Sequence, residues 1–151
     1  MAEVHLARLV LAIDERVKLT KVSDVPAYMA KKGLSASPQE VGWVMALSNT
    51  LEVYSLVEVA RGTTCDLPIH IPIMLSAVLA AGTDRFVFIH SHPGSSAAPS
   101  NTDIELTQRI ADAADACDLR LEDHYIVTPD PEVWMSLREA GLFEVVDDDA
   151  S

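Results

Sequence analysis

The segment from His90 to Asp103, with the sequence HSHPGSSAAPSNTD, contains a set of potential metal ligands. His90 and His92 are separated by a single residue, and Ser100 and Asp103 follow within the same segment. Two imidazoles and one carboxylate suit a borderline divalent metal ion such as Zn²⁺. Three protein ligands leave the fourth tetrahedral position open for water, which is typical of catalytic zinc sites. We therefore predict that His90, His92 and Asp103 bind a catalytic Zn²⁺ ion.

A strand and a helix are needed to bring these ligands together. The run 85–89 is apolar, β-branched and aromatic, which predicts a buried strand. Because side chains two residues apart in a strand point to the same face, His90 and His92 can share one ion at its carboxyl end. A Pro-Gly pair then ends the strand, and the apolar spacing beyond it predicts a helix over 102–117. Asp103 is expected in the first turn of that helix, where it can reach back to the strand.

The same residues permit simpler interpretations. Ser100-x-x-Asp103 fits a helix-capping box, although Glu or Gln is more usual at the last position. The two histidines could also be ordinary loop residues. The order of strand, Pro-Gly loop and helix start favours the metal site, and a capped helix would hold Asp103 rigidly as a ligand.

The complete pattern of His-x-His, seven residues, Ser, two residues and Asp resembles the signature of JAMM (MPN+ or JAB) metalloproteases. Two further segments, 118–127 (DLRLEDHYIV) and 135–141 (MSLREAG), resemble the RadC branch of that family. The likeness covers roughly residues 5 to 143. It implies a three-layer α-β-α domain, similar to cytidine deaminases, with a mixed central sheet.

The resemblance also implies a glutamate directly before a strand, which acts as a general acid/base. Glu40 fits because it precedes the nearly continuous apolar run 41–47, which predicts a buried central strand. Glu52 and Glu58 remain alternatives in the next stretch. Apolar residues alternate there, so the simpler interpretation of both is the solvated face of a strand.

The chemistry implied by the resemblance is hydrolysis of a peptide or isopeptide bond by a metal-activated water. Zinc lowers the pKa of its water from ~15.7 toward ~7. Glu40 would accept the proton of that water and deliver it to the leaving amine. Ser100 would donate a hydrogen bond to the oxyanion that develops in the transition state.

Two residues of the RadC-like segment are candidates for a supporting role. His124 lies at the start of a predicted strand, where we expect it to support the metal ligands rather than to bind the ion. Asp123 is a candidate hydrogen-bond partner for a ligating imidazole.

One segment departs from the RadC branch, whose members carry a Pro-Arg-Glu triplet before the helix that precedes the metal strand. The corresponding residues 70–74 (HIPIM) contain neither arginine nor glutamate.

The composition is that of one compact domain. The chain has 151 residues, of which 49% are hydrophobic and 23% charged. We expect a single domain over residues 1–146 and an acidic tail over 147–151. No apolar run approaches a membrane span, and the first residues do not resemble a signal peptide, so we expect a stand-alone cytoplasmic domain. Cys65 and Cys117 are isolated and are expected to be reduced thiols.

The net charge limits the classes of partner. It is −12, because only 11 Lys and Arg oppose 23 Asp and Glu. Proteins that bind nucleic acid carry basic patches that neutralise phosphates. We therefore expect no autonomous nucleic-acid binding and no membrane partner. A protein or peptide substrate is the expected partner.

The remaining pattern alternates between strands and helices. Strands are expected over about 5–13, 41–47, 51–60, 85–90 and 124–128, with a final strand or short helix around Trp134. Helices are expected over about 23–32, 71–81 and 102–117. Ser23 is the expected cap of the first helix, and Gly33 and Gly82 are expected to end the first two. This order predicts an α/β fold with helices on the faces of a layered sheet.

Three functions are compatible with these features. The first is a zinc-dependent peptidase or isopeptidase. The second is a RadC-like metal-binding domain without independent protease activity, which acts in a DNA-maintenance or mobile-element complex. The third is another metallohydrolase, such as an amidase or a deaminase. A deaminase is disfavoured because the His/Cys/Cys ligands and the H-x-E signature are absent from the sequence.

Overall fold

The computed structural model of the chain describes residues 8–9, 17–62 and 68–145. Strands and helices alternate along these residues. The strands are β1 (Arg8–Leu9), β2 (Val41–Leu47), β3 (Val53–Arg61), β4 (Arg85–Ser91), β5 (Arg120–Val127) and β6 (Trp134–Ser136). The helices are α1 (Val25–Lys31), α2 (Ile71–Ala81) and α3 (Asn101–Ala116).

The strands form one mixed sheet in the order β1-β3-β2-β4-β5-β6. β4 and β5 are parallel, and α3 is the crossover between them. The other described strand pairs are antiparallel. Because β4 lies between β2 and β5, its carboxyl end meets the start of β2, where Gly42 pairs with His90. The sheet therefore brings the residues just before β2 next to the end of β4.

Helices cover both faces of the sheet and give three layers. On one face, α1 packs over alternate residues of β2, β4 and β5 in a buried apolar cluster, with Trp43, Met45, Ile89 and Tyr125 as its largest sheet residues. On the other face, α2 and α3 pack over the intervening residues, including Val44, Phe86, Phe88 and Ile126. All seven residues of β2 are buried because apolar layers cover both of its sides. The predicted three-layer α/β fold with a mixed central sheet is confirmed.

Several predicted boundaries are confirmed. β2 and α2 have the predicted limits. Pro72 lies in the first turn of α2, and Gly82 ends that helix with a left-handed φ of +76°. Gly33 follows α1 with a φ of +72°. The segment around Trp134 is a strand.

The predicted cap at Ser23 is wrong. Ser23 lies inside a 3-10 turn, Val22–Asp24, and α1 starts after that turn. The side chain that organises the segment is Asp24, whose Oδ2 accepts the backbone N–H groups of Thr20 and Lys21, both at 3.1 Å. Asp24 is the N-cap residue of α1, but its carboxylate bonds to these preceding N–H groups and makes no capping hydrogen bond to the helix.

Other boundaries are shifted. β5 starts at Arg120, four residues before the predicted 124. β3 starts at Val53, because Ser48 Oγ accepts the backbone N–H groups of Thr50 and Glu52 and extends the turn. Only residues 8–9 of the predicted strand 5–13 are described, and they form β1. Cys65 and the predicted tail 147–151 lie outside the described residues.

Within the described ranges, no helix is both long and apolar enough to cross a membrane.

Candidate metal centre

The two histidines at the end of β4 face each other. Their Nε2 atoms are 2.9 Å apart. The backbone N–H of His92 donates to Val127 O at 2.9 Å, so the pairing of β4 with β5 holds His92 in line with the strand. His90 is 1% exposed, whereas His92 is partly exposed. The pair thus lies at the boundary between the core and the surface, where a bound ion could meet both solvent and substrate.

Asp103 reaches this pair from the first turn of α3. Its Oδ1 lies 3.6 Å from His90 Nε2, and its Oδ2 lies 3.5 Å from His92 Nε2. Ser100 is the N-cap of α3: its Oγ accepts the Asp103 N–H at 3.0 Å, and its own N–H donates to Asp103 Oδ2 at 2.9 Å. The predicted capping box is therefore present, and it fixes the carboxylate that contacts both imidazoles.

Glu40 approaches the same imidazole from the segment before β2. Its Oε1 lies 3.8 Å from His92 Nε2. Ser91, which points to the opposite face of β4, accepts the Val41 N–H at 3.1 Å and ties this segment to β4. Glu40, His90 and His92 each place one ligand atom within 4.8 Å of the others, a spacing that could hold a metal ion.

The two alternative glutamates have other surroundings. Glu58 forms an ion pair with Arg61 at 2.7 Å along β3. Glu52 lies in the turn before β3 and forms a backbone bridge with Lys18. Of the three glutamates considered from the sequence, Glu40 is the one that contacts His92.

The donor set fits a divalent metal ion. Two imidazole nitrogens and two carboxylates converge, and His92 Nε2 is their common neighbour, at 2.9 Å from His90, 3.5 Å from Asp103 and 3.8 Å from Glu40. His92 Nδ1 lies 3.1 Å from Ser96 O. Since a carbonyl can only accept, Nδ1 donates, and in the neutral ring Nε2 carries the lone pair that a metal requires.

The electrostatics keep most of these groups in the form that binds metal. Burial lowers the pKa of His90 to about 4, so this imidazole is neutral at physiological pH. Burial alone would raise the pKa of Asp103, but the hydrogen bond with His92 and the other contacts outweigh it, and the pKa lies well below its usual range. The hydrogen bond to Asp103 raises the pKa of His92, while its partial burial acts in the opposite direction. The carboxylate of Asp103 thus favours a positive charge at His92, whether from a proton or from a metal ion.

Behind His90, two further residues continue the polar contacts into the core. His90 Nδ1 lies 2.6 Å from His124 Nε2, and His124 Nδ1 lies 2.6 Å from Thr107 Oγ1. His124 is fully buried, and burial lowers its pKa well below the usual value. His124 therefore contacts a predicted ligand, as expected from the sequence. The sequence patterns do not indicate Thr107. The one sequence feature that could indicate it is its position one helical turn after Asp103, which places both residues on the same face of α3.

Asp123 does not contact a ligating imidazole. Its carboxylate accepts the Ser136 hydroxyl at 2.5 Å, the His124 N–H at 2.7 Å and the Arg138 N–H at 3.1 Å. Neighbouring residues of a strand point to opposite faces, so Asp123 and His124 cannot both face α3. The carboxylate instead joins the two segments, 118–127 and 135–141, that carry the RadC-like sequence patterns.

Comparisons with known proteins show which family this sequence resembles. A family model described as the RadC-like JAB domain matches residues 19–142. A UPF0758 protein of Neisseria meningitidis serogroup C (strain 053442) is 31% identical over 140 residues, which cover 91% of this chain and 61% of that relative. A UPF0758 protein of Polaromonas sp. (strain JS666) is 31% identical over 144 residues, covering 94% and 63%. One from Porphyromonas gingivalis (strain W83) is 29% identical over 109 residues, covering 72% and 48%. The chain spans half to three-fifths of the length of these curated relatives.

Proposed function

Because the chain belongs to the RadC-like JAB domain family, we propose that it is a metal-dependent hydrolase that cleaves a peptide or isopeptide bond. His90, His92 and Asp103 hold the metal ion in this proposal. The observation that carries it is the convergence of three elements on His92 Nε2: the end of β4, the first turn of α3 and the segment before β2. Acid/base and metal-ligating groups meet there at the edge of the core.

Zn²⁺ is the proposed ion, because two imidazoles with a carboxylate form a three-ligand zinc site that leaves a position for water. The same ligands also suit iron, cobalt or manganese. When bound, the ion would supply a Lewis acid that activates water and polarises a carbonyl group.

Glu40 is the proposed general acid/base. Its side chain is 13% exposed and its Oε1 is 3.8 Å from His92 Nε2, which places a carboxylate beside the proposed ligands with access to solvent. In this role it takes a proton from the attacking water and returns it to the leaving amine. General acid–base catalysis of this kind typically contributes ~10²–10⁴ in rate.

Ser100 is the proposed donor to the oxyanion. Its Oγ accepts the Asp103 N–H as the helix cap, and its hydroxyl also interacts with the Asp103 carboxylate. Rotation of the hydroxyl proton from that carboxylate toward the oxyanion would keep Oγ as the acceptor of the cap. The capping and catalytic roles are therefore compatible in one side chain.

The test of the proposed function is cleavage of a proteome-derived peptide library by the zinc-loaded chain, with chelated protein as the blank. We expect Glu40→Gln to retain stoichiometric zinc and to lose most of its cleavage rate. Glu58→Gln is the matched control, since Glu58 contacts Arg61 and should keep both properties. Cleavage by Glu40→Gln at the unmodified rate would refute the acid/base role, and loss of zinc from that variant would make Glu40 a ligand instead.

A second candidate function is a metal-binding domain without independent protease activity, acting within a larger DNA-maintenance or mobile-element assembly. The matched segment is 61% of the Neisseria protein, so a domain of this kind also occurs as part of a longer chain. A chain that binds zinc stoichiometrically but cleaves no peptide of the library would support this candidate over the hydrolase.

A further inference from the structure

We propose that His124 and Thr107 are positioning residues that fix the tautomer of His90, so that His90 Nε2 always presents a lone pair to the metal site. This inference rests on the proposed metal-binding function. It starts from two short contacts, both 2.6 Å, that link His90 through His124 to Thr107.

The direction of the hydrogen bonds follows from Thr107. Its Oγ1 lies 2.6 Å from the backbone carbonyl of Asp103 and 2.6 Å from His124 Nδ1. The carbonyl has no proton, so the single hydroxyl proton of Thr107 is donated to it. The proton between Thr107 and His124 must then come from the imidazole. These contacts assign a protonated Nδ1 to His124.

The assignment passes from His124 to His90. His124 is fully buried and lies beside the Phe88 ring at a centroid distance of 4.5 Å, with the two ring planes tilted by 39°. A neutral imidazole has one donor and one acceptor nitrogen, so His124 Nε2 accepts from His90 Nδ1–H. The neutral His90 ring then carries its lone pair on Nε2, the atom 3.6 Å from Asp103 Oδ1.

The hydrogen bonds that run from His90 through His124 and Thr107 to the Asp103 carbonyl, called the relay below, also join two of the proposed ligands. It begins at His90 on β4 and ends at the backbone carbonyl of Asp103 on α3, whose side chain lies on the opposite side of His90. A shift of α3 relative to β4 would break the relay and, at the same time, move His90 away from Asp103. The same three hydrogen bonds therefore fix both the tautomer of His90 and the distance between His90 and Asp103. Groups that orient metal-bound histidines in this way typically account for ~10–100-fold in metal affinity.

The first measurement is the tautomer of His90 in the metal-free chain, by nitrogen NMR of imidazole-labelled protein. We expect a protonated Nδ1 and an unprotonated Nε2. A protonated Nε2 on His90 would overturn the proposal. This result does not depend on metal, so it separates a failure of the relay from a failure of the proposed function.

The second measurement compares zinc affinities of matched variants by chelator competition. Thr107→Val removes the hydroxyl at nearly constant shape, and Thr107→Ser keeps it. We expect the valine variant to bind zinc ~10–100-fold more weakly and the serine variant to bind within a few-fold of the unmodified chain. Equal affinities of the two variants would overturn the proposal.

Variants of His124 test the proposal independently of the Thr107 variants. His124→Gln can still accept from His90 Nδ1 and donate to Thr107, whereas His124→Leu can do neither. We expect glutamine to preserve the His90 tautomer and zinc binding better than leucine. A leucine variant that retains both would overturn the proposal. Should the leucine variant fail to fold by circular dichroism, the Thr107 pair still decides the question.

Discussion

The Nε2 atoms of His90 and His92 lie 2.9 Å apart, and both carry lone pairs when the rings are neutral. Two such atoms repel each other unless a proton or a metal ion lies near both. The Asp103 carboxylate contacts both nitrogens at 3.5–3.6 Å and favours a positive charge at this point. Either a metal ion or a proton on His92 can therefore relieve the repulsion between the two Nε2 atoms, and the two compete for the same position.

Removal of His92 is expected to abolish stoichiometric zinc binding. His92 Nε2 is the common neighbour of His90, Asp103 and Glu40, so His92→Ala removes the proposed ligand at the centre of the cluster. His70→Ala is the matched control, since His70 is an exposed residue at the start of α2. Elemental analysis of the purified variants measures the effect. Unchanged zinc content in His92→Ala would contradict the proposed ligand set.

Zinc affinity is expected to fall as the solution is acidified. The hydrogen bond to Asp103 raises the pKa of His92 above 6.5, and zinc must displace that proton to bind. Below the raised pKa, the affinity should drop about tenfold per pH unit, because one proton is displaced per ion. His90 contributes no second proton until the pH approaches about 4.

Calorimetry in two buffers with different ionisation enthalpies measures this proton directly. On the acid side of the transition, we expect about one proton released per zinc, which is the proton displaced from His92. Affinity that stays constant from mildly alkaline to mildly acidic pH would show that His92 is not a ligand.

The sequence predicts some elements to the residue and others poorly. The limits of α2 follow from Pro72 and Gly82, which act through backbone geometry alone. The sequence pattern does not predict the start of β5, because Glu122, Asp123 and His124 are polar and yet buried. Their burial depends on partners that are distant in sequence, as shown by the ion pair of Glu122 with Arg85 at 2.8 Å.

Contacts between residues that are distant in sequence also limit how much of the candidate site can be predicted. Local spacing places His90, His92 and Asp103 near one another, because strand and helix geometry act over a few residues. The contact between His90 and His124 depends on the parallel register of β4 and β5, in which Phe88 pairs with His124. No local pattern specifies that register, so His124 could be proposed from the sequence only as a supporting residue.

Replacement of Ser100 should separate its two roles. Ser100→Gly removes the hydroxyl, but glycine is tolerated at an N-cap at a cost of only a few tenths of a kcal/mol, whereas alanine costs ~1 kcal/mol. We expect Ser100→Gly to keep its thermal stability and zinc content while peptide cleavage falls ~10²–10³-fold. Ser100→Thr, which keeps the hydroxyl and the cap, is the control. Full activity of the glycine variant would assign Ser100 to capping alone.

Asp123→Asn is expected to destabilise the fold without weakening zinc binding. The buried carboxylate accepts hydrogen bonds from Ser136, His124 and Arg138, and it also interacts with the Tyr125 side chain. An amide replaces one acceptor oxygen with a donor, which leaves at least one of these groups without an acceptor and should cost ~1–3 kcal/mol in the free energy of unfolding. Chemical denaturation measures this loss, with the exposed Asp115→Asn as the control. Because the side chains of Asp123 and His124 point to opposite faces of β5, a large loss of zinc affinity in this variant would contradict the separation between the hydrogen bonds of Asp123 and the proposed metal site.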